Sequence, residues 1–296
     1  MCTAMTFQSK DRYFGRTLDY EQAFGEAVVI TPRHFGAEPR YAMVGMATVA
    51  EGIPLYYDAM NENGLCMAGL LFPPAVYLPP HPQKKNLPPH ALISYLLGRC
   101  ADLREVEVLL EKIRLTAGDF SPQYRCAPLH WMLADRTRAA VLEATGELHL
   151  YEAAAGVLTN APAFPQQEEH RKRFQGLSPH SAAERGKEAV GLPGDWSSPS
   201  RYVRAAFVAE HSRCAPSEEE SVAHFFRMLQ SVAVPKGCLR VAGEDAYTRY
   251  TCCCNQHRGI YYFSTYEDPR IRAVELGEQN GSRLQIFSAG GLKTAE

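Results

Sequence analysis

Short runs in which apolar residues alternate with polar ones, or stand together, recur along most of this chain. Such runs predict strands. Residues 27–30, 41–46, 65–72, 129–133, 139–143, 148–151, 247–254, 259–263 and 271–274 all read this way. Gly15, Asn63-Gly64 and Thr145-Gly146 are the turn candidates between several of them. Asn63-Gly64 is a hairpin signal, because a tight primed turn needs positive φ at both central positions. Helical spacing interrupts the pattern. One helix is predicted over 90–99. Asp102 with Glu105 forms a capping box ahead of Val106, Leu109, Leu110 and Ile113 on one face. Ser217 with Glu220 opens another, carrying Val222, Phe225, Phe226 and Leu229, and a third covers 200–211. Strands and helices come in clusters and do not alternate strictly. That predicts an α+β architecture, with antiparallel sheets covered by helices. No repeat, linker or low-complexity segment divides the chain, so 1–296 is read as a single domain.

Composition is that of an ordinary globular protein, 46% hydrophobic and 22% charged, and the length allows a core large enough for an enzyme. A net charge of -2 argues against nucleic acid as a partner. Lys84-Lys85 and the run from His170 to Arg173 read as solvated surface. No apolar run is long enough for a membrane span, and the start lacks the basic and apolar segments of a signal peptide, so a cytoplasmic protein is expected. Nine cysteines form no disulfide framework. Cys252-Cys253-Cys254 has only His257 nearby, and a strand explains the run better than a zinc site. No metal or organic cofactor is expected.

Phosphate loops, dinucleotide fingerprints, His-Glu-x-x-His and the Gly-x-Ser-x-Gly elbow are all missing. What remains is Cys2. Removal of Met1 would give this residue a free α-amine beside its thiol. An α-amine titrates near ~7.7, so it can take the thiol proton near neutral pH. Arg16 and Asp19 follow Gly15, and a hairpin there brings both back beside Cys2. Taken alone they would pass for a surface ion pair. Asn160 closes an apolar strand, where an amide can serve as an oxyanion donor or simply as a turn residue. Arg201 sits in the first turn of a predicted helix, against the helix dipole, which suggests another task. Arg204, one turn on, reads as solvated.

Taken together these blocks resemble the choloylglycine hydrolases, the family of bile salt hydrolases and penicillin V acylases. The blocks are Cys2, Gly15 to Asp19, Asn61 to Leu65, Ala68-Gly69-Leu70, Leu158-Thr159-Asn160, Gly191 to Asp195 and Ser200 to Phe207, with Pro128 to Trp131 and Tyr250 to Asn255 beside them. The resemblance implies the N-terminal nucleophile hydrolase fold, a four-layer αββα sandwich of two stacked antiparallel sheets. It implies Cys2 as nucleophile with its own amine as base, Arg16 and Asp19 shaping the site, and Asn160 with the Leu71 N–H as the oxyanion hole. Arg201 would complete the polar set. Two positions depart from the family pattern: Leu71 stands where asparagine or tyrosine is usual, and Ala161 where a second asparagine is frequent. Conjugated bile salts are the expected substrate, with Phe24, Met60, Leu71 and Phe72 as candidates to line an apolar cleft or to pack the core. Penicillin V, another N-acyl amide, or a non-catalytic binding role are the alternatives. The resemblance also implies a homotetramer.

Overall fold

The computed structural model describes residues 1–36, 41–174, 191–213 and 217–289. The strands in chain order are β1 (Cys2–Gln8), β2 (Arg12–Tyr20), β3 (Ala27–Thr31), β4 (Met43–Ala50), β5 (Ile53–Asn61) and β6 (Cys66–Leu71). Then come β7 (Lys85–Leu87), β8 (Ile113–Leu115), β9 (Leu129–Ala134), β10 (Ala139–Thr145), β11 (Glu147–Glu152) and β12 (Val157–Leu158). The last six are β13 (Arg240–Val241), β14 (Glu244–Asp245), β15 (Tyr247–Asn255), β16 (Ile260–Thr265), β17 (Arg272–Glu275) and β18 (Gln285–Ser288). The helices are α1 (Leu92–Leu97), α2 (Leu103–Leu110), α3 (Phe164–Lys172), α4 (Ser198–His211) and α5 (Glu218–Gln230).

Two antiparallel sheets carry the architecture. One runs β12-β1-β2-β15-β16-β17 and the other β11-β10-β9-β6-β5-β4-β3-β18. Side chains alternate across each sheet. In β6, Cys66, Ala68 and Leu70 enter the layer between the sheets, while Met67 faces α1 and α2. In β9, Met132 and Ala134 turn inward, and Trp131 and Leu133 turn outward. Helices α4 and α5 cover the outer face of the six-stranded sheet through contacts with β1, β2 and β15. The layers therefore stack as helix, sheet, sheet, helix, the expected αββα sandwich. No helix of the described residues is long and apolar enough to cross a membrane.

The caps read from sequence are present. Asp102 Oδ1 accepts from the N–H groups of Arg104 and Glu105, both at 2.9 Å, and Ser217 Oγ accepts from Glu220 N–H at 3.2 Å. The 90–99 helix is shorter than expected, a 3-10 turn over Pro89–Ala91 followed by α1.

Three expectations need correction. Gly15 is not a turn; it lies inside β2, and the hairpin turns earlier, between Gln8 and Arg12. A Cβ at Gly15 would stand 2.0 Å from the Cys252 carbonyl oxygen, so the position needs the smallest residue for packing, not for turning. The Asn63-Gly64 turn has positive φ only at Gly64; Asn61 Oδ1 ties down the N–H groups of Asn63 and Leu65 in a longer loop. Tight two-residue turns stand instead at Glu51-Gly52, with φ of 51° and 77° between the paired residues Ala50 and Ile53, and at Ala242-Gly243, with φ of 50° and 90° between Val241 and Glu244. Arg204 is buried, not solvated: its guanidinium donates to the carbonyls of Ser231, Pro193 and Asp195 and ties α4 both to the end of α5 and to the segment before α4.

Candidate active site

Cys2 begins β1 beside the shortest strand of its sheet. The β1–β12 register pairs Met5 with Val157 and Ala4 with Leu158. Continued, it would set Asn160 opposite Cys2. Backbone pairing stops there, and the Asn160 side chain takes over: its Oδ1 accepts the Cys2 N–H at 2.8 Å. The two-residue length of β12 is what opens this edge to side chains.

Arg201 uses the opening. Fully buried in the first turn of α4, it donates from Nη1 to Cys2 O (2.5 Å) and Thr3 Oγ1 (2.6 Å). Its Nη2 donates to Asn160 Oδ1 at 2.8 Å and its Nε to Trp196 O at 3.1 Å. The unfavourable place against the helix dipole is thus offset by four acceptors. Burial pulls its pKa down, opposed by Asp19 and Cys2. Asp195 fixes the turn ahead of it by accepting from Ser197 N–H at 2.8 Å and Ser200 Oγ at 2.6 Å.

Arg16 and Asp19 both lie in β2, three residues apart, so alternation sends them to opposite faces. They are fully buried and do not pair with each other, which removes the surface ion-pair reading. Asp19 lies on the face toward α4, 3.9 Å from Arg201 Nη1, and accepts from Thr248 Oγ1 at 2.6 Å. Arg16 enters the layer between the sheets with Cys2 and Leu18. Its Nη1 donates to Tyr57 O (3.1 Å) and Gly69 O (2.7 Å), two carbonyls that would pair next had the β5–β6 ladder continued past Asp58 and Ala68. Its Nη2 is buried with no hydrogen-bond partner among the described residues. Burial opposes the charge of Arg16, but Cys2, Tyr250, Asp58 and Cys252 outweigh it and raise the pKa. Asp58 is itself buried, and accepts from the hydroxyls of Tyr250 and Tyr261 and from Cys252 Sγ.

Leu71 completes the group. Phe72 N–H donates to Pro128 O, so alternation along the antiparallel ladder turns the Leu71 N–H and C=O away from β9. On that side β5 has already left the ladder. Leu71 O accepts from Asn160 Nδ2 at 2.7 Å, and its N–H faces the same way. An amide nitrogen has two hydrogens; one is used on Leu71 O, leaving the other for a ligand.

The structure thus brings Cys2, Arg16, Asp19, Leu71, Asn160 and Arg201 into one neighbourhood. Phe24 is half-buried against Tyr20, ring centroids 5.4 Å apart, while Met60 and Phe72 are core residues. Cys252, Cys253 and Cys254 are buried in β15, and the eight described cysteines form no disulfide. Sequence reasoning missed Thr3, Asp58, His130, Glu143, Gln167 and Thr248. The available signal was a polar residue inside an apolar strand, as with Asp58 and Glu143.

Met1 is present, and its backbone pairs with Asp19: Asp19 N–H donates to Met1 O at 2.8 Å, and the Met1 terminus donates to Asp19 O. In this state Cys2 N is a peptide nitrogen and cannot accept a proton. Removal of Met1 would make it an amine at the same place and free the backbone of Asp19.

Residues 2–285 match the family model described as linear amide C–N hydrolases, choloylglycine hydrolase family. A bile salt hydrolase/transferase of Lactiplantibacillus plantarum is 40% identical, the match covering 97% of this chain and 96% of that protein. Its counterpart of the same description from Clostridium perfringens is 31% identical over 97% and 96%. A crystal structure of a variant of conjugated bile acid hydrolase from Clostridium perfringens matches with a TM-score of 0.88 at 29% identity, covering 97% of both chains. Penicillin V acylase from Agrobacterium tumefaciens shares the fold, with a TM-score of 0.79 at 21% identity over 98% of this chain and 92% of its own.

Proposed function

This chain belongs to the choloylglycine hydrolase family and is a hydrolase of linear amide C–N bonds, and we propose that Cys2, freed of Met1, is its nucleophile and a conjugated bile salt its substrate. The observation that carries the site is the junction at Cys2. One asparagine, Asn160, accepts from its nitrogen and presents an amide hydrogen on the side where the Leu71 N–H emerges.

In this reading the thiol passes its proton to the α-amine of the same residue, and the sulfur attacks the amide carbon. Asn160 Oδ1 and Asp19 orient the amine, and Arg201 holds Asn160 and the Cys2 carbonyl in place. Arg16 lies in the layer between the sheets with Cys2 and shapes the site there, anchored on the carbonyls of Tyr57 and Gly69. The Leu71 N–H and the second Asn160 Nδ2 hydrogen bind the oxyanion. The amine then protonates the leaving nitrogen of glycine or taurine, and water cleaves the thioester. Neither step calls for a metal or organic cofactor. The 40% identical bile salt hydrolase/transferase supports the sterol conjugate as substrate. Leu71, half-buried in place of the usual asparagine or tyrosine, would present an apolar side chain to it. We propose a homotetramer, the assembly the resemblance implies, and a cytoplasmic setting.

The test is Cys2→Ser together with a panel of glycocholate, taurocholate, penicillin V and an N-acyl homoserine lactone, after intact mass has established loss of Met1. Turnover nearly abolished by the substitution, with bile salts preferred in the parent, supports the reading. Most of the activity surviving in the serine variant refutes the thiol; preference for penicillin V refutes the substrate.

A further inference from the structure

Two buried groups outside the proposed reaction reach both halves of the oxyanion hole. His130 in β9 and Glu143 in β10 lie on neighbouring strands with side chains 0% and 1% exposed. The imidazole stands face to face with Phe72, ring centroids 4.3 Å apart and planes within 3°. Phe72 directly follows Leu71. The Nε2 atom is 2.8 Å from the Thr159 carbonyl, which directly precedes Asn160. The Nδ1 atom is 3.0 Å from Glu143 Oε1, and the same oxygen accepts the Phe164 N–H at 2.9 Å. Both ends of the segment that carries Asn160 are therefore gripped by one side-chain pair. Gln167 grips the middle, donating to the carbonyls of Asn160 and Pro162 and accepting from Thr159 Oγ1.

Proton bookkeeping fixes the form of the pair. A carbonyl oxygen only accepts, so Nε2 carries hydrogen. Nδ1 faces a carboxyl oxygen, and a lone pair against a carboxylate at 3.0 Å would repel. A second proton therefore lies between Nδ1 and Oε1, whichever atom holds it. Burial pushes the His130 pKa down, against the pull of Glu143.

We infer that His130 and Glu143 are a positioning pair, which sets the Asn160 amide and the Leu71 N–H against the substrate oxygen by bonding Thr159 and stacking on Phe72. The inference rests on the oxyanion role proposed for those two donors. It separates two events at Cys2. Alkylation of the thiol by iodoacetamide displaces iodide at an sp³ carbon and needs no oxyanion hole. Amide cleavage does.

The experiment compares His130→Phe, His130→Gln and Glu143→Gln with the parent enzyme, all with Met1 shown to be absent. Phenylalanine keeps the ring on Phe72 and removes both nitrogens. Glutamine at 130 keeps a donor for Thr159. Glutamine at 143 can offer Oε1 to Phe164 or an amide to Nδ1, not both. The expected result is a kcat fall of about 10–100-fold in His130→Phe and Glu143→Gln, the scale usual for orienting groups behind a reactive centre. KM and the rate of Cys2 alkylation, read by peptide mass, should stay within about twofold, and His130→Gln should recover part of kcat. An unchanged kcat in Glu143→Gln and His130→Gln overturns the inference, including the case where His130→Phe does not fold. So does a parallel loss of kcat and alkylation, which would mean general distortion. Amidase activity surviving complete alkylation of Cys2 in the parent is a different failure, that of the thiol as nucleophile.

Discussion

Asn160→Asp isolates the oxyanion donor with the smallest change of shape. Oδ1 stays where it accepts from Cys2 N and Arg201 Nη2, each at 2.8 Å. Nδ2 becomes an oxygen, set 2.7 Å from Leu71 O where a donor stood. Two things are lost: the hydrogen bond that orients Leu71, and the second amide hydrogen assigned to the oxyanion. Loss of one preorganised donor costs on the order of 10²–10³ in kcat, or about 2.7–4 kcal/mol of transition-state stabilisation. A new negative charge near the developing oxyanion adds to that. Arg201 beside it supplies the counter-charge that lets the variant fold. Steady-state kinetics on glycocholate, with Cys2 alkylation as a control for the thiol, should show kcat down by at least about 10²-fold and KM nearly unchanged. A variant within about threefold of the parent in kcat, or one altered only in KM, would refute the donor role of Asn160.

Other substitutions follow from the same contacts. Arg201→Lys replaces a planar fork, bonded to Trp196 O, Cys2 O, Thr3 Oγ1 and Asn160 Oδ1, by a single ammonium; both Tm and kcat should fall, and a Tm equal to the parent's would contradict the anchoring role. Gly15→Ala drives a methyl to 2.0 Å from Cys252 O between two central strands, so a loss of 3 kcal/mol or more is expected, on the order of the largest overpacking costs; urea denaturation reads it. The Asp195 carboxyl is held down to about 2 by hydrogen bonds from Ser197 and Ser200, against 3.8 unperturbed. A depressed carboxyl contributes stability that is complete above its unfolded pKa and disappears as pH drops through the folded one. Asp195→Asn should therefore flatten the acid limb between about pH 4 and 2, and an unchanged limb in denaturation midpoints would show that the interaction is too exposed to count.

The α+β reading, antiparallel sheets covered by helices, was legible because alternation, helix caps and clustering are local signals; the four-layer order was implied only by the family resemblance. The 102–110 and 217–230 helices declare themselves through Asp102 and Ser217 before any tertiary contact forms. Cys2, Asn160 and Arg201 stood out as chemically useful residues in unexpected places. Turn geometry was less legible: Gly15 and Gly64 look alike as letters, yet one is demanded by the Cys252 carbonyl of β15 and the other by a backbone with φ of 82°. Arg204 read as solvated because nothing nearby in sequence announces the carbonyls of Ser231 and Pro193 that bury it.

The sequence by itself determined which atoms are present for chemistry: a thiol one residue from the start, an amide, a carboxylate, and two arginines spread over 200 positions. Tertiary structure decided their partners. The register of β1 against a strand only two residues long sets Asn160 opposite Cys2, and the place where β5 and β6 part gives Arg16 its carbonyls. The His130–Glu143 pair has meaning only because Thr159 and Phe72 arrive from distant segments. Local pattern follows from the stereochemistry of neighbouring residues. Contacts of this kind join residues far apart in the chain, and only the packing of two sheets against each other selects them.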